Sequence, residues 1–140
     1  IVEQNRGFLQ HLISQYTDIV FANEEEALAY TGSAPEKAAE AIGKQCELAI
    51  VKTGKSGSLV CHQNTLLRIN PVPTTPVDTT GAGDSYSAGF LYGLSRGLSL
   101  EKCGQIASMV SSKAVETMGA KIPDPSWQEL LSNVDQIIKK

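Results

Sequence analysis

The chain has 140 residues, of which 41% are hydrophobic and 19% charged, and its formal net charge at pH 7 is −3. This composition is typical of an ordinary globular protein, and the length predicts one compact unit. No apolar run approaches the roughly 20 residues that cross a bilayer, and the acidic balance gives no support for nucleic-acid binding. We therefore expect neither a membrane nor a nucleic acid as a partner.

The three cysteines, Cys46, Cys61 and Cys103, are far apart in the sequence. An odd number without a C-x-x-C spacing argues against a disulfide framework and against a zinc site. We expect buried thiols in a reducing compartment, and therefore a cytoplasmic protein. The two histidines, His11 and His62, have no metal-ligand pattern near them and are interpreted as structural or surface residues.

The first half of the chain alternates helical and strand patterns. Helices are indicated by apolar residues at helical spacing and by capping residues, and strands by short apolar runs. The predicted elements are, in chain order, a helix over 8–16, a strand at 19–22, helices over 23–32 and 35–45, and strands at 48–51, 58–61 and 66–69.

The second half begins with a proline-rich stretch and continues with helices. Pro71, Pro73 and Pro76 predict an edge or an extended loop, because proline cannot donate a hydrogen bond to a sheet. Helices are predicted over 82–96, from Ser99 to Gly119, and from Asp124 onward. The whole pattern predicts an α/β fold in which helices cover both faces of a mostly parallel central sheet with a local antiparallel hairpin.

Residues 78–84, with the sequence Asp-Thr-Thr-Gly-Ala-Gly-Asp, carry most of the chemical information and are called the anion loop below. Gly81 and Gly83 let a ligand approach the backbone closely. The first N–H groups of the following helix lack intrahelical partners and carry positive partial charge, as in phosphate sites. Asp84 lies in the first turn of that helix. An acidic residue at a helix start and glycines in a loop are also common without any ligand, so both interpretations stay open.

The segment Asn23-Glu24-Glu25-Glu26 follows a predicted buried strand. Asn23 can cap the next helix, and Glu26 can complete a capping box with it. Ligands of α/β sheets bind at the carboxyl ends of strands, and magnesium prefers oxygen ligands with several waters. A magnesium site at Asn23 and Glu26 is therefore the alternative to a purely structural cap.

Residues 53–57, with the sequence Thr-Gly-Lys-Ser-Gly, directly follow another predicted strand. A phosphate-binding P-loop would need glycine at position 49, which is Ala49, and a helix after Ser56, where a strand is predicted instead. We therefore reject the P-loop. The segment is interpreted as a hairpin turn, or as a turn whose backbone and Thr53 hydroxyl contact a nucleotide.

Taken together, these segments resemble those of the ribokinase-like carbohydrate and nucleoside kinases, the PfkB family. Residues 78–84 match that family's D-T-x-G-A-G-D signature in full, Asn23 and Glu26 match its N-x-x-E element, and Thr53-Gly54 is similar to its nucleotide-binding turn. The resemblance implies a ribokinase-like layered α/β/α fold. Residues 1–140 would be the C-terminal, ATP-binding and catalytic portion of a longer kinase, whose N-terminal half and lid would precede Ile1.

The resemblance implies an ATP-dependent phosphotransferase that uses Mg²⁺ and transfers the γ-phosphoryl group to a hydroxymethyl group. Asp84 would be the general base that takes the proton of the acceptor hydroxyl. The N–H groups of Gly81, Ala82 and Gly83 would stabilise the charge on the moving phosphoryl group. Because positioning dominates phosphoryl transfer, loss of either element is expected to be severe.

The resemblance also implies contacts with the nucleotide and with metal ions. The implied nucleotide-binding residues are Asn23, Thr53, Gly54, Gly57, Gly81, Gly83 and, beside the adenine, Ser108. Magnesium would be held by Glu26 and, through water, by Asn23. Many family members bind a monovalent cation, and here Asp78 and Thr80 would serve K⁺, with carbonyls of Ala114 and Gly119 from the far helix.

The resemblance implies that the acceptor is a small-molecule nucleoside or sugar. Residues 85–94 and 102–104 resemble adenosine kinase-like members, which favours an adenosine-like nucleoside. A sugar acceptor, as in ribokinase- and fructokinase-like members, is one alternative, and a nucleotide-binding fragment without catalysis is another. The resemblance also makes a homodimer a candidate oligomeric state of the full-length protein.

Overall fold

The computed structural model describes residues 1 to 140, which fold as two compact units, residues 1–69 and 70–140, where the length alone predicted one. The first unit contains α1 (Arg6–Tyr16), β1 (Ile19–Asn23), α2 (Glu24–Thr31), α3 (Pro35–Gly43), β2 (Leu48–Lys52), β3 (Ser58–His62) and β4 (Thr65–Ile69). The second unit contains α4 (Ala82–Ser95), α5 (Leu100–Ala114) and α6 (Asp124–Lys139). These elements confirm the predicted helices and strands, apart from the end of α5.

The four strands form one sheet in the order β1-β2-β3-β4. Only β1 and β2 are parallel, while β2–β3 and β3–β4 are antiparallel, so the prediction of a mostly parallel sheet is wrong for this chain. The connections explain the difference. A five-residue turn joins β2 to β3, and Gln63 and Asn64, with φ of 48° and 63°, form the two-residue turn between β3 and β4. Such short turns can join only antiparallel neighbours.

The core of the first unit lies between one face of the sheet and the two helices of the β1–β2 crossover. Strand registers place Ala49 opposite Cys61, and Val51 opposite both Ala22 and Leu59, so these side chains share a face. The helical residues that complete this core are Ala27, Tyr30, Ala38, Ala39 and Ile42. Ile50, on the other face of β2, is also fully buried, so both faces of this strand are covered from Leu48 to Val51.

In the second unit, α5 packs against α4 and also against α6, where Ile106 contacts Leu130 and Val134. Helix α5 ends at Ala114 and not at Gly119 as predicted. The carbonyl of Val115 accepts hydrogen bonds from the N–H groups of Val77 and Asp78, at 2.7 and 3.2 Å, in place of a further helical turn.

The cysteines are free thiols, and Cys61 and Cys103 are buried while Cys46 is half-buried. Burial raises the pKa of all three thiols above the ordinary value, which keeps them protonated and unreactive at neutral pH. His62 pairs through Nδ1 with the carbonyl of Glu47, and His11 lies on α1. None of the helices combines the length and the apolar composition that crossing a bilayer requires.

Candidate functional site

The carboxyl ends of the two parallel strands bring the first pair of candidate segments together. Asn23, the last residue of β1, is in register with Lys52, the last residue of β2, and Thr53 follows directly. Because β1 and β2 are parallel, both segments leave the sheet at the same edge. Open α/β sheets bind ligands at such an edge.

Asn23 and Glu26 form a complete capping box at the start of α2, as predicted. The Oδ1 atom of Asn23 accepts the N–H of Glu26 at 2.8 Å, and Oε2 of Glu26 accepts the N–H of Asn23 at 2.8 Å. Both side chains are exposed. Oδ1 of Asn23 and Oε2 of Glu26 each retain a free lone pair, and Oε1 of Glu26 accepts no hydrogen bond from the cap. These oxygens can therefore still bind a hydrated cation.

Residues 53–57 form the hairpin turn between β2 and β3, which confirms the rejection of a P-loop because a strand follows. The N–H and the hydroxyl of Thr53 both donate to the carbonyl of Gly57 at 2.9 Å. The hydroxyl proton of Thr53 is therefore used within the turn. Toward a ligand, this hydroxyl can act only as a hydrogen-bond acceptor. Gly54 and Gly57 have φ of +56° and +92°, which side-chain-bearing residues rarely adopt.

The anion loop leads directly into α4. Gly81 is the residue before the helix and has a left-handed backbone with φ of +75°. The N–H of Ala82 donates to the carbonyl of Thr79 at 3.2 Å, so this group already has a partner in the turn, and its expected role toward the phosphoryl group stays a prediction. The next two N–H groups, of Gly83 and Asp84, have no intrahelical acceptor because they lie in the first turn. The Asp84 side chain is exposed beside them.

Asp78 fixes the start of the anion loop with both carboxylate oxygens. Oδ1 accepts the N–H of Thr80 at 2.9 Å, and Oδ2 accepts the N–H of Gly119 at 2.8 Å. Hydrogen bonds from Thr80, followed by the one from Gly119, lower the pKa of Asp78 below its ordinary value. The carboxylate is therefore ionised at neutral pH and holds two distant stretches of chain.

Helix α5 contributes a contact that sequence reasoning missed. Ser108 is buried, and three residues later the hydroxyl of Ser111 donates to the carbonyl of Ala82 at 3.0 Å. This bond ties α5 to the first residue of α4, and a polar residue on an apolar helix face is the signal that could have indicated it. The resemblance implied that Gly119 lies near Asp78, but the bond from its N–H to the carboxylate was not foreseen, because 41 residues separate the two partners.

The candidate residues divide between the two units. Asn23, Glu26 and the turn at residues 53–57 belong to the first unit, whereas the anion loop and Ser108 belong to the second. Within its own unit, each set is gathered around backbone N–H groups at the start of a helix or in a turn. The chain contains no group of three or more His, Cys, Asp or Glu side chains arranged to hold a metal ion.

Comparison of the family model, the sequence and the structure with known proteins identifies kinases in each case. A family model described as pfkB family carbohydrate kinase matches residues 3–127. An uncharacterized sugar kinase of Archaeoglobus fulgidus is 31% identical over 119 residues, which are 85% of this chain and 48% of that protein. The crystal structure of an adenosine kinase from Sinorhizobium meliloti has 36% identity and a TM-score of 0.85, covering 96% of this chain and 41% of its own. A ribokinase of Arabidopsis thaliana, complexed with ribose and ATP, has 31% identity and a TM-score of 0.76, covering 87% and 43%.

These similarities confirm the ribokinase-like α/β fold that the sequence predicts. The chain spans about half the length of the curated relative, 48%, and 41% to 43% of the two solved chains. Its placement in the C-terminal part of a longer protein stays a prediction, as do the roles of the individual site residues.

Proposed function

The chain belongs to the pfkB family of carbohydrate kinases, and from this premise we propose that the protein is an ATP-dependent phosphotransferase acting on a hydroxymethyl group. The observation that carries the proposal is the start of α4. Exposed Asp84 lies there beside the unpaired N–H groups of the first turn, and the left-handed backbone of Gly81 turns the loop into the helix. A base and an anion site side by side are what phosphoryl transfer to an alcohol needs.

In the proposed reaction, the acceptor hydroxyl attacks the γ-phosphorus of ATP. The new O–P bond forms as the bond between the γ-phosphorus and the β,γ-bridging oxygen breaks, and ADP leaves with that electron pair. The proton of the hydroxyl passes to the carboxylate of Asp84. The N–H groups of Gly83 and Asp84 stabilise the negative charge on the moving phosphoryl group. Ala82, whose N–H is bonded to Thr79, acts here only through the shape of the turn.

The edge formed by β1 and β2 is the proposed nucleotide side. The oxygens of Asn23 and Glu26 suit a hydrated Mg²⁺, because magnesium prefers oxygen donors and keeps several waters. When bound, magnesium would neutralise phosphate charge. The turn at residues 53–57 would face the nucleotide through its backbone, and Ser108 on α5 would line the adenine. ATP is supported by the related ribokinase, whose structure contains ATP and ribose.

The first test replaces Asp84 by Asn in the full-length protein. The amide has nearly the same shape, so we expect ATP binding and the melting temperature to stay near the wild-type values. Loss of the positioned base should lower kcat about 10²- to 10⁴-fold. A coupled assay of ADP release, together with ATP titration and thermal denaturation, measures the three quantities.

The matched control is Asp124→Asn, which makes the same change in the first turn of α6. It should leave kcat unchanged, because Asp124 has no assigned contact with ATP or acceptor. Turnover of Asp84→Asn within a few fold of the wild type would refute Asp84 as the base. A loss of kcat equal in both variants would show a general effect on the helices.

The acceptor is proposed to be a nucleoside similar to adenosine. The adenosine kinase from Sinorhizobium meliloti, at 36% identity over 96% of the chain, supports it. A sugar acceptor is the second candidate, supported by the 31% identical sugar kinase of Archaeoglobus fulgidus. A nucleotide-binding fragment without catalysis is the third, and it would bind ATP without releasing ADP in the presence of any acceptor.

A further inference from the structure

Two serine hydroxyls donate to carbonyl groups at the start of α4. Ser111, on α5, donates to the carbonyl of Ala82 at 3.0 Å, and Ser87, on α4 itself, donates to the carbonyl of Gly83 at 3.0 Å. Both serines are half-buried. A carbonyl inside a helix accepts the N–H four residues later and has a second lone pair, which the hydroxyl uses here. The first peptide groups of α4 are therefore held from outside the helical ladder as well as from within it.

These two carbonyls belong to the peptide groups that carry the proposed phosphoryl donors. The carbonyl of one residue and the N–H of the next form one planar group. The carbonyl of Ala82 shares its group with the N–H of Gly83, and the carbonyl of Gly83 shares its group with the N–H of Asp84. Both N–H groups lie in the first helical turn and lack an intrahelical acceptor. Each proposed donor therefore has a serine hydroxyl at the opposite end of its own peptide group.

The bond from Ser111 differs from the usual bond of a serine inside a helix. Such a hydroxyl commonly donates to a carbonyl three or four residues earlier in its own helix. Ser112 does so with the carbonyl of Met109 at 2.8 Å. Ser111 donates instead to the first residue of α4, which is 29 residues away in the sequence. The direction of the Ser111 hydroxyl is therefore set by the packing of α5 on α4.

We propose that Ser111 and Ser87 are positioning residues, and that their hydroxyls hold and polarise the two peptide groups whose N–H groups stabilise the moving phosphoryl group. The proposal rests on the phosphotransferase function described above. A hydrogen bond to one end of a peptide group polarises the group, so the N–H at the other end becomes a stronger donor. The bond also fixes the plane of the group, so the N–H needs no reorientation during the reaction. Neither serine touches ATP or the acceptor in this role.

The kinetic test compares Ser111→Ala with Ser112→Ala in the full-length protein. Each variant loses one hydroxyl bond made from α5, but only the first loses a bond to a donor peptide group. Removal of a whole donor costs about 10²- to 10³-fold in kcat, so a weakened donor in Ser111→Ala should cost less, about 3- to 10-fold. The KM values for ATP and acceptor should change less than about twofold, because the charge develops only in the transition state. The kcat of Ser112→Ala should stay near the wild-type value.

A second pair of variants separates the hydroxyl from the packing around it. Threonine and valine have nearly the same shape, but only threonine has a hydroxyl that can donate. Ser111→Thr should therefore keep a higher kcat than Ser111→Val, which also decides the matter if Ser111→Ala does not fold. Ser87→Ala tests the other peptide group and should lower kcat to a similar extent.

Nuclear magnetic resonance tests the two bonds without relying on activity. A hydrogen bond to a carbonyl changes the electron distribution at the nitrogen of the same peptide group. In Ser111→Ala, the amide nitrogen signal of Gly83 should therefore shift more than that of Asp84, and in Ser87→Ala the order should be reversed. Ser112→Ala should leave both signals near their wild-type positions.

Three results would overturn the proposal: a kcat of Ser111→Ala equal to that of Ser112→Ala, equal kcat values for Ser111→Thr and Ser111→Val, or amide signals that do not follow the crossed pattern. Failure of the proposed function has a different signature. In that case the wild-type protein would transfer no phosphoryl group to any acceptor, while the amide signals would still show whether each serine is bonded to its peptide group.

Discussion

Several of the oxygen atoms assigned to ligands already accept hydrogen bonds from the backbone of this chain. Asn23 and Glu26 hold each other's N–H groups, and Asp78 holds those of Thr80 and Gly119, whereas the Thr53 hydroxyl donates to a backbone carbonyl. A carboxylate or amide oxygen has two lone pairs, so one bond to the backbone leaves room for a ligand. Local structure and ligand binding are therefore compatible at the same atoms, and the backbone bonds fix the side chains before a ligand arrives.

The capping box provides a way to separate the two roles of Glu26. Glutamine at this position can also complete a capping box, so Glu26→Gln keeps the cap and removes the charge. We expect the free energy of unfolding to change by less than about 0.5 kcal/mol, as for most surface substitutions. The Mg²⁺ concentration that gives half-maximal activity should rise several-fold. Urea denaturation and Mg²⁺ titration measure the two effects.

Removal of the cap itself gives the complementary result. Asn23→Ala should lower the free energy of unfolding by about 1 kcal/mol and raise the Mg²⁺ requirement. Ser99→Ala is a matched control, because Ser99 caps α5 through its hydroxyl and has no assigned ligand. It should lose similar stability with a normal Mg²⁺ requirement. If Glu26→Gln and Asn23→Ala also keep a normal requirement, the pair is a cap only.

At the level of whole elements, α4 and α5 lie close because α4 lacks side chains where the helices touch. A Cβ atom on Gly89 would be 2.9 Å from Cα of Ala107, and one on Gly93 would be 2.9 Å from Cα of Cys103. Both clashes are with backbone atoms, which cannot move aside as a flexible side chain can. The spacing of the two helices therefore depends on these glycines, and with it the bond from Ser111 to Ala82.

Gly89→Ala should therefore destabilise the protein, although alanine normally favours a helix. Forcing an extra methyl group into a packed contact typically costs about 1–3 kcal/mol, which exceeds the roughly 1 kcal/mol gained in helix propensity. Gly7→Ala is the matched control, since Gly7 lies in α1 and a Cβ there would meet nothing within 4 Å. Thermal denaturation should show a lower Tm for Gly89→Ala and an equal or higher Tm for Gly7→Ala. An unchanged Tm for Gly89→Ala would refute the close-packing argument.

The elements differ in how well their sequence predicts them. Local signals were sufficient for the capping box, where the partners are three residues apart, and for β2, whose first four residues are apolar and buried. The antiparallel pairings could have been read from the short connections between strands. The end of α5 could not, because it depends on bonds between Val115 and residues 77 and 78, which are remote in sequence.

At the level of the whole molecule, the candidate residues fall into two sets, one in each unit. The first unit supplies the edge of β1 and β2 with its capping box and hairpin turn, and the second supplies the anion loop and Ser108. All of these residues are assigned to ATP, to metal ions or to proton transfer. The chain spans 48% of the length of its curated relative, so the groups that select the acceptor are expected largely outside it.

The acceptor is therefore best determined by a direct comparison of substrates in the full-length protein. With ATP as donor, we expect kcat/KM for adenosine to exceed that for ribose and for fructose at least tenfold. A sugar alone lacks the base, whose binding energy can be used in the transition state, and tenfold corresponds to about 1.4 kcal/mol. Asp84→Asn measured with adenosine gives the background rate. A higher kcat/KM for ribose or fructose would favour the sugar kinase, and ATP binding without transfer to any of the three would favour the fragment without catalysis.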